Sequence, residues 1–417
     1  CHNHKLEPIT QKDYYRLQAY FAATAEFDKS LASQSEQDAW DAKTKKIKAQ
    51  VAKLKKQMAD ATDSVRDELS LKIKALESQL PAPPPTIPGI RNDFEHRTAI
   101  HVLRRGDWEK KGVPVGPRPL SLFVSTSLKE LKPEVQNPRT QLAEWLTNRE
   151  NPLTARVIVN RIWQHHFGSG LVRTPNDFGT HGDSPSHPAL LDWLALTLMK
   201  NEWRLKPIHR LIVLSSTYRQ SSRSPHPGEA LSADPESRML WQFSRRRLSG
   251  EEIRDSLLAV CGRLSTKFRG ESVLVPVPDE MIALLYKPSQ WQVTKEESEH
   301  DRRSIYLIAK RNLRLPFLEA FDAPALQTSC PRRETSTHAP QALALLNGQF
   351  ANEMAGWFAE RLTQECGNSS ERQVQRAFWL GLGRPPTPRE RELSLEFLRD
   401  QSLQEFALAM FNLNGFV

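Results

Sequence analysis

Residues 151–195, NPLTARVIVNRIWQHHFGSGLVRTPNDFGTHGDSPSHPALLDWLA, constrain the fold more tightly than any other stretch. Apolar residues recur at helical spacing at Val157, Ile158, Ile162 and Trp163, and again at Leu190, Leu191, Leu194 and Leu198. Two amphipathic helices are therefore predicted, each with one face to bury. Gly168-Ser169-Gly170 stops the first, and Ser184-Pro185-Ser186-His187-Pro188 starts the second with a serine cap and a proline near the first turn. The joining loop is polar. His165, His166, His181 and His187 lie in this stretch and His209 just beyond it, yet no catalytic signature surrounds them.

The same helical period dominates the rest of the chain. Thr10 precedes a helix with Tyr14, Leu17, Tyr20 and Phe21 on one side. Trp40, Ile47, Val51, Leu54 and Met58, then Leu69, Ile73, Leu76 and Leu80, form the seam of an antiparallel coiled-coil hairpin. Its lysine-rich face reads as solvated. PAPPPTIP at 81–88 reads as a stiff extended linker. Residues 98–103 and 120–124 read as short strands with turns between them, and 303–308 as a third. Residues 140–199, 205–218, 340–359, 371–382 and 388–411 read as helical, and Ser249-Gly250-Glu251-Glu252 opens another helix as a near capping box. The fold class is mainly α: a multi-helix globular domain with a small β element and a coiled-coil helical hairpin.

At 417 residues the chain holds two or three domains. No apolar run is long enough to span a bilayer. The net charge of +9 is modest over this length; it permits an acidic partner without requiring one. Both ends read as cuts. The four cysteines, Cys1, Cys261, Cys330 and Cys366, are too few for a disulfide framework. One pair among the last three, or three separate buried thiols, fits equally.

Four groupings carry chemistry. If Cys-x-x precedes it, Cys1-His2 completes C-x-x-C-H, the c-type haem attachment motif, in which thiols form thioethers and the histidine binds iron; the alternative is a chance dipeptide at a cut end. His181, Asp183 and His187 offer imidazole and carboxylate ligands for a divalent metal, which makes a metal-dependent hydrolase one alternative. The structural reading of the same residues is that Asp183 or Ser184 caps the next helix while His187 bonds a carbonyl. Cys330, His338 and Asp322 are the only local set of nucleophile, base and acid, and a buried structural cysteine is the favoured reading there. Arg245, Arg246, Arg247, Arg302, Arg303, Arg311, Arg314, Arg332 and Arg333 match carboxylate or phosphate geometry. Pairing with Glu251, Glu252, Asp255, Glu319 and Asp322 is the favoured account of many of them.

Several long stretches resemble a known family. RTQLAEWLTNRENPLTARVIVNRIWQHHFGSGLVRTPNDFGTHGDSPSHPALLDWLA, RRRLSGEEIRDSLLAV, RRSIYLIAKRNLRLPFLEAFDAP, SCPRRETSTHAPQALALLN and LGLGRPPTPRERE occur in its order. They are similar to the planctomycete-type cytochrome-associated proteins over 139–417, the domain of unknown function fifteen-fifty-three, or planctomycete-specific domain one. Cys1, His2, His4, Lys5, Leu6, Glu7 and Pro8 resemble the end of the preceding planctomycete cytochrome C domain two, and Gly415 stands where an acidic residue is usual. The resemblance divides the chain into the end of that cytochrome-like region (1–28), the hairpin and linker (29–88), a β-containing connector (89–138) and the helical domain (139–417). It implies an exported protein, periplasmic or at the cell surface, acting in electron transfer or polysaccharide processing. A haem on Cys1 and His2 is expected, with a redox partner or an anionic glycan as partner; nucleic acid is not. A non-catalytic glycan- or protein-binding scaffold is the other reading.

Overall fold

The computed structural model describes residues 2–59, 63–124, 128–132, 134–224 and 228–417. Among these, eighteen α-helices accompany two two-stranded sheets, so the chain is α-rich with a small β element. It divides into two compact units, 1–158 with 179–181, and 159–178 with 182–417.

The first unit starts with α1 (Gln11–Ala19), whose Thr10 and Asp13 form a reciprocal capping box. Its buried face is Asp13, Tyr15 and Ala19, continued by Tyr20, whereas Tyr14 and Phe21 are exposed. The expected apolar face is therefore rotated, because Asp13 is drawn inward. Ser121 donates to Asp13 Oδ1 from its hydroxyl (2.5 Å) and its backbone N–H (3.2 Å). Burial alone would raise the Asp13 carboxyl, but the Ser121 and Thr10 hydrogen bonds outweigh it and hold it at about 2. Ser121–Phe123 is in consequence a 3-10 turn and not the strand expected at 120–124.

β1 (Thr24–Ser30) leads into α2 (Gln34–Ala59) and α3 (Asp63–Glu77), and β2 (Thr86–Asn92) returns antiparallel to β1 in register from Thr24↔Asn92 to Ser30↔Thr86. The hairpin is as expected. Thr44, Val51, Leu69 and Ile73 are buried along its seam, Lys55 pairs with Glu77, and Lys48 lies 3.9 Å above the Trp40 ring. The linker is not. Residues 86–92 pair with β1 and close the hairpin's base, which Pro88 tolerates because a two-stranded ribbon is all edge. β3 (His101–Leu103) pairs with β4 (Lys111–Pro114), so one expected strand stands at 101–103 and its partner lies in the segment read as turns. α4 (Pro138–Leu146) completes this unit's helices before α5 (Thr154–Phe167).

The second unit takes up α5 from Val159 and continues with α6 (Pro188–Lys200), α7 (Leu205–Leu214), α8 (Ser216–Arg219), α9 (Gly228–Ala233) and α10 (Gly250–Val260). Gly168, at φ +80°, ends α5 as its sequence requires. The helix expected over 205–218 breaks at Ser215, whose hydroxyl accepts from the Tyr218 N–H and caps α8. Short helices α11 (Asp279–Ala283), α12 (Glu297–His300) and α13 (Pro316–Ala320) follow, then α14 (Ala339–Leu346), α15 (Gln349–Cys366), α16 (Ser370–Leu382), α17 (Pro388–Asp400) and α18 (Leu403–Phe411). α14 and α15 together replace the single helix expected over 340–359, with Gly348 between them.

The core of this unit gathers Ile253, Leu257 and Leu258 of α10, Phe358 and Leu362 of α15, Val374 of α16 and Phe411 of α18, all with no exposed surface. Phe358 and Phe411 stack at 5.7 Å. Ser249 and Glu252 form the expected capping box. Beside it, Gly250 lies so close to α13 that a Cβ would sit 3.2 Å from Leu318 Cα. Residues 303–308 form no strand. Asp255 Oδ1 accepts from both the N–H and hydroxyl of Ser304 at 2.7 Å, folding Ser304–Tyr306 into a 3-10 turn.

Candidate functional site

An open cleft of about 1450 Å³ lies within the second unit. One side comes from the C-terminal half of α5, where Arg161, Gln164, His165 and Gly168 recur at i, i+3, i+4 and i+7 opposite the buried face. The other side is the extended segment 236–249 with the start of α10. The loop 329–335 and residues 303–305 complete it.

Nine arginines and no lysine line the cleft, with six carboxylates. Five carboxylates are engaged. Arg246 meets Glu252 fork to fork (3.0 and 2.9 Å), and Arg333 meets Glu251 likewise (2.6 and 2.9 Å). Arg173 pairs with Glu236 at 2.5 Å, Arg247 with Asp322 at 2.6 Å, and Arg303 with Asp255 at 3.8 Å. The Arg246 hydrogen bond, with further ones from Ser249, holds the Glu252 carboxyl at about 2 despite its burial. Most of the sequence-expected pairings thus form. Yet Arg161, which donates to Asn176 Oδ1, and Arg238, Arg245 and Arg332 have no carboxylate within ion-pair distance among the described residues. Only Glu334 is left to offset them. Attraction from Arg238 and Arg332 also lowers Glu236, behind its hydrogen bond to Arg173. The cleft therefore carries positive charge that its own acids do not cancel.

Three further polar atoms are buried in the cleft wall without a hydrogen-bond partner: Arg247 Nε and Nη1, and Gln164 Oε1. The amide of Gln164 is oriented by its contact with Pro331 O (3.1 Å), which can only accept, so the orphan atom is the carbonyl oxygen. Each such group costs about 1–3 kcal/mol while unmet. The wall therefore holds unmet donors and an unmet acceptor.

Of the other sequence candidates, Cys330 also lines the cleft, whereas the haem and metal candidates lie outside its lining. Cys1 lies outside the described residues. His2 is exposed, with Nδ1 2.6 Å from the Asn3 carbonyl. Asp183 donates its N–H to Thr174 Oγ1 (2.9 Å), and His187 Nδ1 is 3.0 Å from the Ser186 hydroxyl. His187 itself is the N-cap residue of α6 and makes no side-chain cap bond, so neither a serine nor Asp183 caps that helix. Among the described residues, no three His, Cys, Asp or Glu side chains are grouped to hold a metal ion. Cys330 is exposed, not buried, and its thiol donates to Arg332 O. The Asp322 carboxylate is taken by Arg247, Ser336 and Gln341. Cys261 and Cys366 are buried and free, and burial pushes the Cys261 thiol up to about 12, leaving it inert. No helix among the described residues is long and apolar enough to cross a membrane.

Residues 138–398 match the model of the family described as PSD1, protein of unknown function (DUF1553). The chain belongs to this family. The match covers more than half of the chain and takes in every residue lining the cleft, while residues 1–137 and 399–417 lie outside it. No curated protein and no solved structure matches the chain.

Arg161, Arg173, Arg238 and Glu236 were not among the sequence candidates. For Arg161 a signal existed: the polar stripe through Gln164 and His165 has the helical period of a second, solvent-facing side. Arg238 and Glu236 stand in an irregular segment with no periodicity to read.

Proposed function

We propose that the family domain of this chain is a binding module for an anionic glycan, held in the arginine-lined cleft. The observation that carries this reading is the charge imbalance: five lining carboxylates are already paired with arginines, while Arg161, Arg238, Arg245 and Arg332 meet no carboxylate within ion-pair distance among the described residues. Guanidinium forks suit planar carboxylates. Ser169, Ser186, Ser244, Ser256 and Ser329 add hydroxyl partners along the lining. Nucleic acid fits less well, since Trp163 and Phe167 stack on each other at 4.2 Å and present no paired free faces to bases.

An oligogalacturonate should bind, a neutral oligosaccharide of equal length should not, and raising the salt from about 50 to about 300 mM should weaken binding steeply, because exposed charges are screened within a Debye length. Equal binding of the neutral sugar would remove the electrostatic basis of the reading.

A second reading concerns the N-terminus. The Asn3 carbonyl only accepts, so His2 Nδ1 carries the hydrogen and Nε2 keeps its lone pair. That is the tautomer an iron-ligating imidazole uses, with the other ring nitrogen anchored on a carbonyl. His2 thus suits the proximal position of a c-type haem joined through Cys1, and the group would supply one-electron chemistry with an external redox partner. Such a chain would work outside the cytoplasm. A protein extended upstream of Cys1 and matured with haem machinery should show α and Soret bands that survive acid extraction. A colourless folded protein removes this reading and leaves the cleft untouched.

A further inference from the structure

α5 and α7 meet through two imidazoles. His166 Nε2 lies 2.8 Å from His209 Nδ1, with the ring planes at 69°. At that separation one nitrogen donates a hydrogen and the other supplies a lone pair. The contact therefore holds no more than one extra proton; two imidazolium rings would oppose N–H to N–H and charge to charge. Tyr218 of α8 stands edge-on to His166 at 5.5 Å and packs against Phe167 (5.7 Å) and Phe243 (5.5 Å). From Phe243 the chain runs directly into Ser244–Arg247 on one side of the cleft, while α5 carries Gln164 and His165 on the other. The histidine pair and its aromatic cluster thus connect the two segments that face each other across the cleft.

We propose that His166 and His209 form an acid-sensitive latch: when both are protonated, α5 and α7 separate, the segment carrying Arg245 is released, and the cleft loses affinity for its anionic ligand. This rests on the reading of the cleft as an anion site. The titratable groups facing the pair are His165 on α5 and Tyr218 on α8; one step further, Arg246 interacts with Tyr218. No carboxylate among the described residues is within ion-pair distance of either ring to compensate a second proton. Burial, then His209 and His165, hold His166 below the ordinary imidazole range. The neutral form is thereby favoured in the folded state. The stability it lends is complete above the ordinary value of about 6.5 and is lost as the pH falls from there through the lowered folded value.

The test pairs imidazole titration by NMR with oligogalacturonate binding at pH about 7.5 and about 5, a range in which galacturonate stays ionised and histidine does not. The wild-type rings should titrate in two separated steps, as coupled groups do. Affinity should fall several-fold on acidification. In His209→Gln, which keeps a hydrogen-bonding partner for His166 but no second proton, affinity should change less than about twofold over the same range. A single unsplit titration at the ordinary imidazole value, or a His209→Gln protein as acid-sensitive as the wild type, would overturn the latch. If neither protein binds the glycan at any pH, the cleft reading fails, and the splitting of the titration still decides whether the pair is coupled.

Discussion

Phe358→Ala should lower the unfolding free energy by about 3–5 kcal/mol, the cost of removing a fully buried aromatic ring and leaving a cavity. Phe358 has no exposed surface and lies on α15, the helix that packs against α10, α14, α16 and α18. Its ring stacks on Phe411, so the deletion also strips that partner of its contact. Phe358→Leu, which keeps most of the volume, should cost much less. Urea unfolding monitored by far-UV circular dichroism separates the two, and an alanine variant as stable as the wild type would mean that these helices do not share one core.

Arg254→Ala should be comparably damaging, at about 3 kcal/mol or more, because it leaves buried partners uncompensated. Arg254 is only 6% exposed and donates to Arg302 O (2.9 Å), Ser304 Oγ (3.1 Å) and His300 O (2.5 Å). It also stands 3.6 Å from Asp255, the carboxylate that folds the 304–306 turn at the cleft edge. Arg254→Met keeps the length of the stem but no donor. If methionine restores stability, packing accounts for the loss; if methionine and alanine fall together, the hydrogen bonds account for it. The same variants should weaken glycan binding, since Asp255 and Ser304 line the cleft.

The helices were legible because their apolar residues recur with the period of a buried face and because local capping chemistry, at Ser249, Thr387 and Gly168, agrees with that period. Two of the departures share one cause. Residues 120–124 and 303–308 alternate like strands, but in each a single carboxylate from elsewhere in the sequence, Asp13 or Asp255, takes the N–H and hydroxyl of one serine and turns the chain. Such a bond spans 49 or 108 residues and leaves no local trace. The β2 strand was hidden by prolines that a ribbon edge accommodates. At the cleft, the arginine–carboxylate pairs were largely anticipated, whereas the identity of the uncancelled arginines was not, because cancellation depends on which acids lie near in space. The His166–His209 contact was equally invisible: 43 residues separate the two rings, and neither stands in a motif.

The most direct test of the anion-binding cleft is calorimetric titration of an oligogalacturonate into wild-type and Arg245→Ala/Arg332→Ala protein at low salt. Both arginines are exposed and unpaired, so their removal should leave the fold intact while deleting ligand charge contacts of about 1.4 kcal/mol each, tenfold in affinity apiece. Binding to the wild type that falls by about a hundredfold in the double variant supports the cleft as the ligand site. Equal affinities in the two proteins would contradict it.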